Sequence, residues 1–367
     1  MKPINVATLQ NWLEQKRDVV VLDVRTDEDR EQWSIPGSSH VNAYDELKAG
    51  RPGPLAELKL PPGTPVVTVC NLGRMAAVAA EKLESRGNDI FVLQGGMQAW
   101  SLAWNIAEVP VKSEGVHVLQ VRRTGKGCLS YVIASAGVAA VIDPSLPPEV
   151  YVGLARERGW RIASVLDTHI HADHLSRARA VAEQSGATLL LPQQNRVHYA
   201  HTPVQDRDVI SIGSAQLVAI HTPGHTLEAT SYLLNDAAVF TGDTLFLSGV
   251  GRPDLSAEPE EARQRAHLLF RSILLLRALR PDVVLLPGHT SQPIPFDRAP
   301  LATPIGCAFR QLGDWFSSEQ EFVERVMARI PPTPANYTRI VELNEAGTPP
   351  LTDVAELEAG ANRCAVA

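Results

Sequence analysis

The stretch Thr168–Ser176, THIHADHLS, places His169, His171, Asp173 and His174 within six residues. Imidazole nitrogens and carboxylate oxygens are the donors that hold zinc, iron or manganese. In extended chain, residues two apart point the same way, so His169 and His171 can face one space while His174 comes round from the start of a helix. A single histidine in a loop is ordinary polar surface. Four ligand-type residues at H-x-H-x-D-H spacing behind an apolar strand are not. Three more stand at strand ends further along: His225 in TPGHT, Asp243 in FTGDT and His289 in LPGHT. Each follows a glycine, which lets the backbone turn sharply and bring the side chain close to a centre. Asp243 alone would pass as a turn cap. Together the seven read as a metal centre in which no cysteine takes part. The other histidines, His40, His117, His198, His201, His221 and His267, follow no such pattern.

A second chemistry-bearing residue is Cys70, in PVVTVCNLGRMAA. A thiol at a strand-to-helix turn sits among backbone N–H groups and near the positive end of a helix dipole, and both favour the reactive thiolate. Gly73 permits the tight loop. The plainer alternative is a small buried cysteine closing a strand.

Around Cys70, strand and helix signals alternate. DVVVLDVR, TPVVTVC and DIFVLQGG read as strands, AAVAAEKLESRG as a helix, and MQAWSLA as the start of another, so a small α/β domain with a largely parallel sheet is expected. After the polar connection AEVPVKSEG come VHVLQVRR, LSYVIAS and VAAVIDPS, then a helix, then RIASVLDT running into the histidine motif. Further strands and a long helix over 259–279 lead to DVVLLPGHT. Two sheets packed face to face with helices outside are expected there. Beyond Gln292 the chain is Pro-rich with helical stretches, and its end, AELEAGANRCAVA, reads as poorly ordered. PPTPANYTRIVELNEAG, 331–347, could cap a site or build an interface.

The 367 residues suit two domains, and 44% hydrophobic content gives each a core. A net charge of −7 with mixed signs argues against nucleic acid or an anionic membrane as partner. The longest nearly apolar run, 132–142, is about half of what a membrane span needs. The N-terminus has no signal-peptide pattern, so the expected compartment is the cytoplasm. Cys70, Cys128, Cys307 and Cys364 are widely spaced, and no disulfide framework is expected.

H-x-H-x-D-H, P-G-H-T, T-G-D-T and P-G-H, in this order, resemble the metallo-β-lactamase superfamily. The resemblance implies an αββα sandwich with the metal site in a cleft between the sheets. In two-metal members the positions of His169, His171 and His225 hold one metal, those of Asp173, His174 and His289 the other, and that of Asp243 bridges. THIHADH and GVGRPDL resemble the persulfide dioxygenases in particular. That resemblance implies one Fe(II) on His169, His225 and Asp243, with open positions for sulfur and O₂, and His171, Asp173, His174 and His289 in support. The glyoxalase II-like thioester hydrolases use the same seven positions for two metals, of the zinc type. Ligand residues alone do not separate these branches. Where the dioxygenases carry a glycine soon after D-H, this chain has DHLSRARA. Arg252, in a glycine-flanked loop, could grip a glutathione-type carboxylate; the alternative is an ion pair with Asp254.

LDVRTDEDREQWSIPGSSHVN, Cys70 and VLQGGMQAW resemble the rhodanese family, which implies sulfane-sulfur transfer through a persulfide on Cys70. Met75 stands where that family's loop has arginine, with Arg74 one place earlier as a substitute for anion contact. The expected organisation is a rhodanese-like domain over 1–107, a linker over 108–115, a metallo-β-lactamase-fold domain over 116–291 and a C-terminal extension over 292–367. The fusion suggests oxidation of a low-molecular-weight persulfide to sulfite, coupled to sulfur transfer on Cys70 with thiosulfate or sulfite as partner molecules. The alternative is a thioester hydrolase carrying a degenerate rhodanese module. A homo-oligomer is left open.

Overall fold

Short apolar runs build the first sheet. VVLD at Val20–Asp23, VVTV at Val66–Val69 and IFVL at Ile90–Leu93 are each about one strand long. With Lys2–Ile4 and Ser39–His40 they form five parallel strands, in the order Lys2–Ile4, Ile90–Leu93, Val66–Val69, Val20–Asp23, Ser39–His40. Alternate residues serve opposite faces. Leu22 and Val66 pack with Ala76 and Ala80, whereas Val21 and Val67 pack with Trp100 and Leu93. The computed structural model describes residues 1–51, 53–84, 87–334, 336–348, 354–358, 360 and 362–367. The helix read from AAVAAEKLESRG runs Arg74–Leu83, two residues earlier than expected, because Gly73 at φ +88° turns the chain directly into it; part of its expected end lies outside the described residues.

The second unit is the expected sandwich. One sheet runs Thr202–Val204, Thr188–Pro192, Arg161–Leu166, Val138–Ile142, Leu129–Ser135, Val116–Arg122, Asn105–Glu108. The other runs Val209–Ile212, Ala215–His221, Thr230–Leu234, Ala238–Gly242, Val284–Pro287, Thr303–Pro304. Ile133, Ile142, Leu166, Leu217, Tyr232, Phe240 and Leu286 fill the space between them. Helices Pro148–Glu157 and Ala178–Ser185 cover the first sheet, and Pro259–Arg277 covers the second. Asn105–Glu108, whose first three residues the sequence reading gave to the first domain, is an outer strand of the sandwich, antiparallel to Val116–Arg122. Among the described residues no helix is long and apolar enough to cross a membrane.

The C-terminal end, expected to be poorly ordered, is packed at its described residues; 359 and 361 lie outside them. Ala365–Val366 pairs with Val250–Gly251. Glu358 is fully buried against Arg123 at 2.7 Å, also fully buried, and takes the Leu175 N–H at 2.8 Å. Partners far along the chain hold this segment, so its local composition carried no sign of order. In the region 331–347, of which 335 lies outside the described residues, one helix rests on the histidine loop. Helix Tyr337–Ala346 brings Asn344 onto the histidine loop, where its amide donates to the carbonyls of His171 at 2.9 Å and His174 at 3.0 Å.

Candidate metal centre and cysteine loop

The strand Arg161–Leu166 delivers the histidine loop to the edge of the cleft. Asp143, at the end of the neighbouring strand, accepts from the Thr168 N–H at 2.7 Å and the Thr168 hydroxyl at 2.9 Å. Glu228 accepts from the Ile170 N–H at 3.0 Å. The helix after the motif begins only at Ala178, so His174 comes from a turn and not from a helix start as expected.

Hydrogen bonds fix the ring orientations. The Thr168 hydroxyl proton goes to Asp143, so at 2.9 Å the Thr168 oxygen takes the Nδ1–H of His169. The Arg252 carbonyl takes the Nδ1–H of His225 at 2.8 Å. The Arg252 carbonyl can only accept and the Thr168 oxygen has already given its proton, so each ring spends Nδ1 outward and turns Nε2 to the centre. These two Nε2 atoms lie 3.9 and 3.7 Å from Asp243 Oδ2. All three atoms are buried and none has a hydrogen-bond partner. Buried polar atoms are rarely left unpaired. Three converging within 4.8 Å fit a metal cation, for which His169, His225 and Asp243 are the donors.

The other motif residues gather beside this group. His174 Nδ1 faces Asp173 Oδ1 at 3.1 Å, leaving Nε2 unpartnered. His289 lies between two carboxylates, with Nε2 2.8 Å from Asp173 Oδ2 and Nδ1 2.5 Å from Asp243 Oδ1. Burial opposes its charge, but the two carboxylates outweigh burial and hold its pKa well above the usual histidine range. Burial, together with His171 beside it, pushes His169 well below that range. His171 turns its Nε2 to Asp143 at 3.2 Å and groups with Asp143 and Asp167 rather than with His169 and His225.

Glycine before the donor has a steric reason here. A Cβ on Gly242, which has φ +48°, would lie 2.3 Å from the Thr168 hydroxyl, and one on Gly288 would lie 2.8 Å from Asp243 Oδ1.

The structure corrects two expectations. Two cysteines lie at the centre where none was expected: Cys128 stands with Asp173, His174 and His289 in one buried group, and Cys364 with Asp243 and His289 in another. Burial and Asp173 push the Cys128 thiol up, but His174 and His289 outweigh them and bring it down to about 6. Burial, then Asp243, pushes the Cys364 thiol well above its usual value. Arg252 is not poised for substrate. It is fully buried, its guanidinium on Asp254 at 2.7 and 2.8 Å and on the carbonyls of Pro332 and Arg363. It serves the centre through its own carbonyl. Sequence reasoning also missed Asp143, Glu228, Asn344 and Glu358. A cavity of about 510 Å³ opens beside the centre, and Ile170, Ala172, Gln194, Arg196, His225 and Arg265 are among its lining.

In the first unit Cys70 is 2% exposed, and its Sγ accepts N–H bonds from Gly73 at 3.1 Å and Ala76 at 3.3 Å. Arg74 is exposed and Met75 packs against the domain core. Asn71 and Leu72, next to Cys70, line an inter-domain cavity of about 450 Å³ whose far wall includes Lys126 and Glu358. All four cysteines are free.

Residues 5–103 match the rhodanese-like domain and residues 123–289 match the metallo-β-lactamase superfamily. The chain is a rhodanese-like domain followed by a metallo-β-lactamase domain. A hydroxyacylglutathione hydrolase of Rhodopseudomonas palustris (strain BisB18) is 32% identical over 159 residues, 42% of this chain and 59% of that protein. One from Rhodospirillum rubrum is 33% identical over 158 residues, 42% and 58%. The chain thus spans about three fifths of the length of the curated relatives it matches. Among solved structures, a metallo-β-lactamase from Staphylococcus aureus has a TM-score of 0.58 at 28% identity, covering 64% of this chain and 74% of that one. ETHE1 from Myxococcus xanthus has 0.55 at 28% identity, covering 62% and 97%.

Proposed function

We propose that the chain oxidises a low-molecular-weight persulfide to sulfite with O₂, at a single Fe(II) held by His169, His225 and Asp243, and that Cys70 exchanges sulfane sulfur with the same thiol pool. One observation carries this reading. Three of the unpartnered buried donors, on His169, His225 and Asp243, converge as two imidazoles and one carboxylate, a set that suits iron and leaves coordination positions open. Such an iron supplies a binding position for the sulfur anion and the electrons that activate O₂. The balance is persulfide, O₂ and water going to thiol, sulfite and protons.

The chain's own residues do the rest. Thr168 and the Arg252 carbonyl keep both Nε2 lone pairs turned inward. The adjoining cavity of about 510 Å³ has the size of a small-molecule site, and Gln194, Arg196 and Arg265 give it a polar lining suited to a peptide-like thiol such as glutathione. At Cys70 the N–H groups of Gly73 and Ala76 stabilise the thiolate that takes up and releases the terminal sulfur. Both sites in one chain keep the product of one close to the other.

A second reading, a two-metal thioester hydrolase, draws on the hydroxyacylglutathione hydrolases among the relatives and on the second donor group at Asp173, His174 and His289. O₂ uptake with glutathione persulfide, run beside hydrolysis of a glutathione thioester, decides between them. Oxygen consumption with sulfite formation is the expected result. Thioester hydrolysis with no oxygen uptake overturns it.

A further inference from the structure

We infer that the cavity between the two units binds a small amino-acid-type thiol, the acceptor of the Cys70 sulfur, and that Lys126 of the second unit grips its carboxylate. This rests on the reading of Cys70 as a sulfur carrier and gives the acceptor its place.

Position and charge both point there. Asn71 and Leu72 follow Cys70 directly and line the cavity of about 450 Å³, a volume suited to a small molecule. Met97 and Gln98 line it too, and their N–H groups donate to the carbonyls of Cys70 at 2.9 Å and Asn71 at 3.0 Å. Lys126, also in the wall, is only 4% exposed. Its ammonium donates to the Glu358 backbone carbonyl at 2.7 Å and, among the described residues, pairs with no carboxylate. Buried charges are normally paired, so an ammonium with a single carbonyl partner fits an anion in the cavity. The other buried charges of the wall are already matched: Glu358 faces Arg123 and Arg177, and Arg25 faces Asp23. Asp29 and Glu356, less buried, line the same cavity and suit an ammonium group. A thiol with both a carboxylate and an ammonium group, as in cysteine or glutathione, answers both signs of charge. A bare oxyanion answers only one.

The turn that carries the lysine is built to press on the first unit. Gly125 and Gly127 flank it. A Cβ on Gly125 would collide with the Trp100 carbonyl oxygen, and one on Gly127 would lie 2.9 Å from the Trp33 ring. The Trp33 indole donates to the Thr124 carbonyl at 3.2 Å. The cradle of Gly73 and Ala76 N–H groups holds the sulfur by itself, and the grip on the acceptor comes from the second unit. In the step served, the acceptor thiolate bonds to the outer sulfur of the Cys70 persulfide. The Sγ–S bond breaks, its electron pair returns to Sγ as thiolate, and the acceptor leaves as the new persulfide. The acceptor's thiol proton goes to water, and no oxidant or reductant is consumed.

The test loads Cys70 of the full chain with sulfane sulfur and follows transfer to glutathione, 3-mercaptopropionate, uncharged 2-mercaptoethanol and sulfite. Lys126→Met is expected to raise the half-saturating concentration about tenfold for glutathione and 3-mercaptopropionate, with the limiting rate within about twofold. The value for 2-mercaptoethanol should not move. Glu356→Gln, at an exposed position, should raise it for glutathione but not for 3-mercaptopropionate, which has no ammonium group. Unchanged values for both carboxylate thiols in Lys126→Met overturn the proposal. So does an equal rise with 2-mercaptoethanol, or a rise with sulfite alone. Should Lys126→Met not fold, Glu356→Gln decides, and an unchanged value for glutathione there overturns the proposal. S-methylglutathione has no thiol to react, and its binding to the Cys70→Ala chain should weaken about tenfold at one site when Lys126→Met is added. If the wild type transfers no sulfur while that difference holds, the reading of Cys70 fails and the binding site stands.

Discussion

At Cys70 both N–H partners of the thiol, Gly73 and Ala76, come from the next six residues, and one strand-to-helix turn supplies the whole cradle. The metal centre draws its residues from the histidine loop, from the loop between Ala215–His221 and Thr230–Leu234 at His225, from the ends of Ala238–Gly242 and Val284–Pro287 at Asp243 and His289, with Cys128 from a hairpin and Cys364 just before the C-terminal strand beside them. The cysteine loop is therefore a local device that needs only its own domain. The metal centre is a tertiary device that depends on every element feeding it, including a tail that also walls the inter-domain cavity beside Cys70. The two should fail differently when residues remote from them are changed.

The largest effect is expected at Glu358, the residue that joins the regions. Glu358→Ala leaves Arg123 buried without its partner, and such a loss costs about 3–5 kcal/mol. Denaturant unfolding measures it, and both activities should fall together as the tail loosens. Burial raises the Glu358 carboxyl pKa, but Arg123 and Arg177 outweigh burial and hold it below its ordinary value. A carboxyl whose pKa is lower folded than unfolded stabilises the fold fully above the unfolded value, about 4.3. That contribution is lost as pH falls through the folded value. Glu358→Gln should therefore flatten the acid limb of the stability curve and leave the curve's shape above about pH 5 unchanged. An unaltered acid limb would show that the ion pair does not link to folding.

Asp243→Asn should come next and split the regions cleanly. Asp243 gives Oδ2 to the three-donor group and Oδ1 to His289, so the amide removes a charge that both sides use. Metal affinity at the three-donor group should drop by more than the ~10–100-fold typical of an outer partner, as read by metal titration. Thiocyanate formation from thiosulfate and cyanide at Cys70 should persist. Asn344→Ala removes two hydrogen bonds to the carbonyls of His171 and His174, and about 10–100-fold in metal affinity or oxygen uptake is expected. Equal loss of thiocyanate formation would refute the separation of the two regions.

How far the sequence could be read follows the same divide. The four residues of the histidine loop announced themselves by type and spacing and the other three by a preceding glycine, whose steric reason is plain at Gly242 and Gly288. Cys128 carries the same sign, a glycine before a ligand-type residue at the start of a strand, but its distance in sequence from the histidine motif hides that the two meet. Asn344 and Glu358 had no local sign at all. Each is a polar residue whose role exists only because a distant loop or arginine packs on it. Arg252 misled in the opposite sense: its loop suggested a substrate grip, and only its burial against Asp254 and two carbonyls reveals a structural post. The sheets were legible because period and length are local. The ordered tail was not, because its order is tertiary.

The smallest effect separates the two readings of the Cys70 loop. Arg74 is exposed at the first turn of the helix, while Met75, standing where the rhodanese family has arginine, packs into the domain core. The cradle around Sγ is made of backbone N–H groups from Gly73 and Ala76 and needs neither side chain. Arg74→Ala should therefore change stability by no more than about 0.5 kcal/mol and thiocyanate formation by about twofold. A tenfold drop with thiosulfate as donor, absent when an uncharged dialkyl trisulfide donor replaces it, would show that Arg74 reaches the anion from its shifted position. Lost activity with both donors would instead point to a disturbed helix start. With no drop, the backbone alone holds the sulfur, and the departure at Met75 costs the loop only its grip on a charged donor.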